Sequence, residues 1–92
     1  MATYSERTLM IAGIIERYVN DHPRAADTAE GIRGWWIAPQ RQGDTLQDVE
    51  TALDYLVDLR ILFRVVLADG SVIYGRAERP NSASVTSRPR IR

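Results

Sequence analysis

Thr45–Ala77 reads TLQDVETALDYLVDLRILFRVVLADGSVIYGRA, and its hydrophobic period changes once along its length. Leu46, Val49, Leu53, Leu56 and Val57 recur at the spacing of three and four that lines one face of a helix. Gln47, Asp48, Glu50, Thr51, Asp54 and Asp58 fall largely on the other face. Thr45 has the side chain of an N-cap, and Asp48 places a negative charge in the first turn, where the helix dipole favours it. After Arg60 the period becomes two: Phe63, Val65 and Leu67 alternate with Leu62, Arg64 and Val66, and Val72 and Tyr74 alternate with Ile73. Two strands are therefore expected, joined through Ala68-Asp69-Gly70-Ser71 with Asp-Gly central in a tight turn and Gly70 supplying the positive φ.

Upstream, Ser5 or Thr8 can cap a first helix that runs to Asn20 or Asp21. Ile11, Ile14, Ile15 and Tyr18 form its buried stripe, widened by Leu9, Met10 and Val19. Gly13 weakens this helix by up to about 1 kcal/mol relative to Ala, and its missing side chain leaves room for close approach by a neighbouring element. His22-Pro23 ends the helix, and the single His is expected to be a solvated residue near the dipole's negative end. Asp27-Thr28-Ala29-Glu30 has the form of a capping box, with Asp27 as N-cap, and opens a short second helix that Pro39 stops. Trp35 and Trp36 lie on that helix about 100° apart, so one is expected in the core and the other at the surface as an anchor for a partner. The polar link 38–44 is long for a minimal helix-turn-helix and is a candidate contact loop. Leu53, Leu56, Ile15 and Phe63 are expected to meet in one core.

Ninety-two residues make one small domain, and the absence of Cys removes disulfides, thiolate zinc sites and thiol nucleophiles together. One His leaves almost no material for a transition-metal site, and neither a phosphate-cradling glycine loop nor a nucleophile elbow is present. An enzyme is not expected, and no cofactor or metal is implied. The longest apolar run, Leu9 to Ile15, is far shorter than the roughly 20 residues that span a bilayer, so a cytoplasmic location is expected. Net charge is zero but unevenly spread: residues 1–75 hold seven Arg against eleven Asp and Glu, while 76–92 hold five Arg against one Glu. The Pro- and Ser-containing segment RPNSASVTSRPRIR has almost nothing apolar to bury. The chain thus divides into a domain over 1–77 and a disordered, Arg-rich tail over 78–92.

The order helix, short capped helix, long amphipathic helix, hairpin resembles the winged helix-turn-helix superfamily of bacterial regulators over Glu6 to Ala77. The resemblance rests most on LDYLVDLRILFRVVLADGSVIYG, where a Leu- and Val-striped helix passes directly into a strand. It implies an α+β winged helix, three helices followed by a two-stranded β-hairpin wing. In DNA-binding members the third helix enters the major groove with Arg, Lys, Asn or Gln on its outward side. Here that side carries Gln47, Glu50, Asp54 and Asp58 and no Arg. A protein-interaction or regulatory module is therefore expected, presenting Trp35 or Trp36 with Gln47, Glu50, Asp54 and Asp58 to a partner with a basic surface. The alternative is a transcriptional regulator that holds DNA phosphates through Arg64, Arg76, Arg79, Arg88, Arg90 and Arg92, from wing and tail. Both readings are compatible with a homodimer.

Overall fold

The computed structural model describes residues 4–77. It is an α+β arrangement of three helical segments and a three-stranded antiparallel sheet. Helix α1 spans Glu6–Asp21, strand β1 Ala26–Asp27, and helix α2 Ala29–Gly31, which continues as a π-helical turn over Ile32–Ile37. Helix α3 spans Leu46–Asp58, and strands β2 and β3 span Leu62–Val66 and Val72–Arg76. The sheet order is β1-β3-β2.

Ser5 resolves the first capping choice, because its hydroxyl accepts from the Thr8 N–H at 3.1 Å. The buried stripe of α1 is Thr8, Ile11, Ala12, Ile15 and Val19, with Ile14 and Tyr18 packed partly against it. Leu9 and Met10 instead face outward, and a Cβ at Gly13 would meet nothing, so the room it leaves is not used by a neighbouring element. The capping box at Thr45 forms as the residue pattern implies: Asp48 N–H donates to Thr45 Oγ1, and Thr45 N–H donates to Asp48 Oδ2, both at 3.0 Å. Arg7 of α1 reaches the same carboxylate at 3.2 Å, fastening the two main helices together. These contacts, the Thr45 N–H foremost, hold the Asp48 carboxyl below its ordinary range.

Four points depart from or add to the expectations. First, the sheet has a third strand. Ala26 and Asp27 pair with Gly75 and Tyr74, so Asp27 is committed to the sheet and the N-cap of α2 passes to Thr28, whose hydroxyl accepts from Gly31 N–H at 3.1 Å. The Asp27 carboxylate accepts from Thr28 N–H and lies over Gly31, where a Cβ would collide with it. Second, the hairpin turn is closed by Gly70 N–H on Leu67 O at 2.9 Å, so Ala68 and Asp69 are its central residues. Gly70 follows them at φ +90°, the three-residue loop that ends in a left-handed glycine. Third, α3 ends on Arg60, which has φ +64°, with Arg60 N–H on Val57 O and Ile61 N–H on Leu56 O. That is a Schellman ending with Arg where glycine is usual.

The fourth point concerns the phase of β2. Leu62 is 2% exposed and belongs to the core with Ile15, Leu53 and Leu56, whereas Phe63 is 38% exposed. Phe63 pairs with Gly75 and lies across it, on the sheet face away from the helices, so a Cβ at Gly75 would come within 2.6 Å of the ring. Tyr74, one residue before Gly75, points inward and closes the core.

Candidate interaction surfaces

The π-helical turn decides the fate of the tryptophan pair. Ala38 N–H donates to Arg33 O, five residues back, and this wider loop lets Ile32, Trp36 and Ile37 all face the core. Trp36 is 4% exposed and stacks on Tyr18, ring centroids 4.4 Å apart and planes 13° from parallel; Tyr18 stacks in turn on His22 at 4.5 Å. Trp36 is therefore a core residue and offers no binding surface. Trp35 is 76% exposed, more than any other large apolar side chain among the described residues. His22 itself finishes α1: its N–H donates to Tyr18 O at 2.8 Å, and its Nδ1 lies 3.1 Å from the same carbonyl.

Beside Trp35, the loop 38–45 is tied down. Arg41 forms a two-pronged ion pair with Asp44, Nε to Oδ2 at 2.8 Å and Nη2 to Oδ1 at 3.1 Å, and Arg33 Nη1 donates to Asp44 O. The Asp44 side chain is almost wholly enclosed, and the Arg41 hydrogen bonds hold its carboxyl below the ordinary range. Arg33, Gly34, Ile37, Arg41, Gly43 and Asp44 line a shallow depression here, on the same helical turn that carries Trp35. The candidate contact loop is thus braced by these bonds.

On α3, Gln47, Glu50, Asp54 and Asp58 are all exposed, as their helical phase implies. Among the described residues Glu50 and Asp58 have no ion-pair partner. Asp54 does have one. Arg64 Nη1 on β2 donates to Asp54 Oδ1 at 3.1 Å, which joins one residue from each of the two functional expectations. Both side chains are about half exposed, so the pair is worth no more than about 0–1 kcal/mol, but it relieves the like-charge step from Glu50 to Asp54 to Asp58.

Arg76 lies in a second depression with Pro23, Arg24, Ala25, Ala26 and Phe63. Arg24 went unnoticed in the sequence because nothing local connects it to Arg76; strand β1 brings them together. Arg79, Arg88, Arg90 and Arg92, with the whole expected tail, lie outside the described residues.

Among the described residues no group of His, Cys, Asp and Glu could hold a metal ion, and no helix is long and apolar enough to cross a membrane. Compared with protein-family models, curated proteins and solved structures, the chain matches none.

Proposed function

We propose that the chain is a winged-helix module that acts by binding, without catalysing a reaction, and that its partner is a protein with a basic surface. The element order α1-β1-α2-α3-β2-β3 and the sheet order β1-β3-β2 support the winged-helix reading, in which β2 and β3 form the wing. One observation carries the choice of partner: the exposed side of α3 is acidic from Glu50 to Asp58 and has no Arg or Lys over Leu46–Asp58. A helix of that sign in the major groove would meet phosphates with like charge, whereas counterion release from DNA needs cations. Trp35 supplies the complementary apolar contact, since exposed aromatic residues that become desolvated tend to dominate interface energies.

A second reading rests on Arg24 and Arg76, two cationic residues that line one depression with Phe63 and suit sequence-independent nucleic-acid contact. Amide and indole shifts of the labelled full chain separate the two. An Arg-rich peptide is expected to move Glu50, Asp58 and the Trp35 indole at low salt, with the effect fading as added salt shortens the Debye length to below about 8 Å. Random duplex is expected to leave α3 unmoved. Duplex-induced shifts centred on α3 would reverse the ranking. Shifts confined to Arg24, Arg76 and Phe63, together with indifference to the peptide, would favour the second reading.

A further inference from the structure

Among the described residues strand β2 is an edge strand, with β3 as its one neighbour in the sheet. The direction of its backbone groups follows from the bonds at either end. Leu67 N–H donates to Ser71 O at 2.8 Å and Ala77 N–H donates to Ile61 O at 3.0 Å, so the odd-numbered residues of this strand exchange hydrogen bonds with β3. In an antiparallel ladder the bonding residues alternate, which turns the N–H and C=O of Leu62, Arg64 and Val66 to the free edge. Leu62 is enclosed by the core. Arg64 and Val66 are exposed, and among the described residues nothing in the protein bonds their backbone groups.

The side chains along this edge are apolar to an unusual degree. Phe63, Val65, Val66 and Leu67 are consecutive in the chain except for Arg64, and they make up four of the eight exposed large apolar side chains among the described residues; Val66 is 67% exposed. The devices that keep edges apart are lacking: the strand has no Pro, no Lys and no bulge, and its one charge, Arg64, is neutralised within the chain by Asp54.

We propose that this edge pairs with the same edge of a second copy, antiparallel and centred on Val65, joining two three-stranded sheets into one of six. In that register the edge is its own complement. Arg64 N–H and C=O then meet Val66 C=O and N–H of the other copy, and the reverse, which satisfies the four open groups and asks nothing of the enclosed Leu62 edge. Val65 faces Val65 across the two-fold axis as a non-hydrogen-bonded pair, Phe63 faces Leu67, and the stem of Arg64 covers Val66. Centring on Arg64 instead would set two guanidinium groups directly opposite one another and would require Leu62 to open, so it is disfavoured. The hairpin already holds the strand extended, so a second copy brings the required edge with no ordering cost, unlike a foreign peptide. This pairing is independent of the binding function proposed above, because α3 and Trp35 belong to other elements.

A strand pair of this length is small for an interface, so self-association is expected on the order of micromolar, with monomer prevailing below it. Sedimentation equilibrium of the full chain over roughly two decades of concentration around that value tests it. Val65→Lys places like charges directly across the axis on an already exposed position, and it is expected to weaken association by at least about tenfold with an unchanged far-UV spectrum. Val65→Cys, in a chain with no other Cys, is expected to form a disulfide-linked dimer rapidly when oxidised glutathione is added, and Glu50→Cys to do so far more slowly. Three results would each overturn the proposal: a monomer throughout the range, a dimer that Val65→Lys leaves intact, or equal crosslinking at residues 65 and 50.

Discussion

Leu62→Ala should cost this protein more stability than Phe63→Ala, although Phe is the larger side chain. The reason is the inward phase of β2. Leu62 is 2% exposed and is enclosed by core residues from α1 and α3. Removing its outer carbons forfeits about 0.8 kcal/mol of transfer energy for each methylene-sized group and leaves a void that the neighbours fill only in part, so about 2–5 kcal/mol is expected. Phe63 is 38% exposed and sits on the outer face over Gly75, so its deletion uncovers backbone without opening a closed cavity. Scaling the roughly 1.5–3 kcal/mol of full burial by the enclosed part of the ring gives about 1–2 kcal/mol. For a domain of this size each kcal/mol moves Tm by roughly 4–8 °C, so the two variants are separable by far-UV circular dichroism. The melts should be run well below the self-association range. A Phe63→Ala loss equal to or greater than that of Leu62→Ala would refute the inward phase of Leu62.

Arg60→Gly should stabilise the protein by about 0.5–1 kcal/mol in urea titrations, because Arg60 holds φ +64° at the end of α3 and glycine adopts it without a Cβ clash; a loss of stability would contradict that helix ending. Trp36→Ala should cost about 3–5 kcal/mol and Trp35→Ala less than about 0.5 kcal/mol. Acrylamide should quench the fluorescence of a Trp35-only variant, Trp36→Phe, far more than that of a Trp36-only variant, Trp35→Phe. The Asp44 carboxyl is lowered in the folded state, chiefly by its hydrogen bonds from Arg41, so its contribution to stability is complete above the ordinary Asp value of about 3.9 and is lost as pH falls through the depressed one. Asp44→Asn should therefore melt below the parent at neutral pH, and the gap should close as pH falls below about 3.9. A gap that persists unchanged in strong acid would show that the carboxylate charge is not its source.

Helix α3 was legible because its signals are local: the Thr45 cap, the Asp48 reply and a stripe from Val49 to Leu56 all lie within one stretch and agree. Strand β1 was not, since Ala26-Asp27 has no periodicity to read and becomes a strand only through its pairing with Gly75 and Tyr74. The phase of β2 failed for a different reason. Leu62 to Leu67 is apolar at every position but one, so alternation alone favoured the wholly apolar set Phe63, Val65, Leu67 over the set interrupted by Arg64. That preference assumed a strand buried along its length. Here the helices cover only the beginning of the strand, so Leu62 enters the core, Arg64 meets Asp54 at its edge and Val66 emerges beyond it. The apparent excess of apolar residues is thus on the outside. Gly75 was the available clue, because a glycine in a strand leaves room for an aromatic ring from its neighbour, and its partner is Phe63. The same geometry bears on function: Arg64 cannot both neutralise Asp54 and bind a phosphate without giving up one for the other. The pair makes any nucleic-acid contact through this strand pay for exposing another unpaired carboxylate on α3, next to Glu50 and Asp58. A basic protein partner faces no such conflict, since it can bind Glu50 and Asp58 while the Asp54–Arg64 pair stays closed.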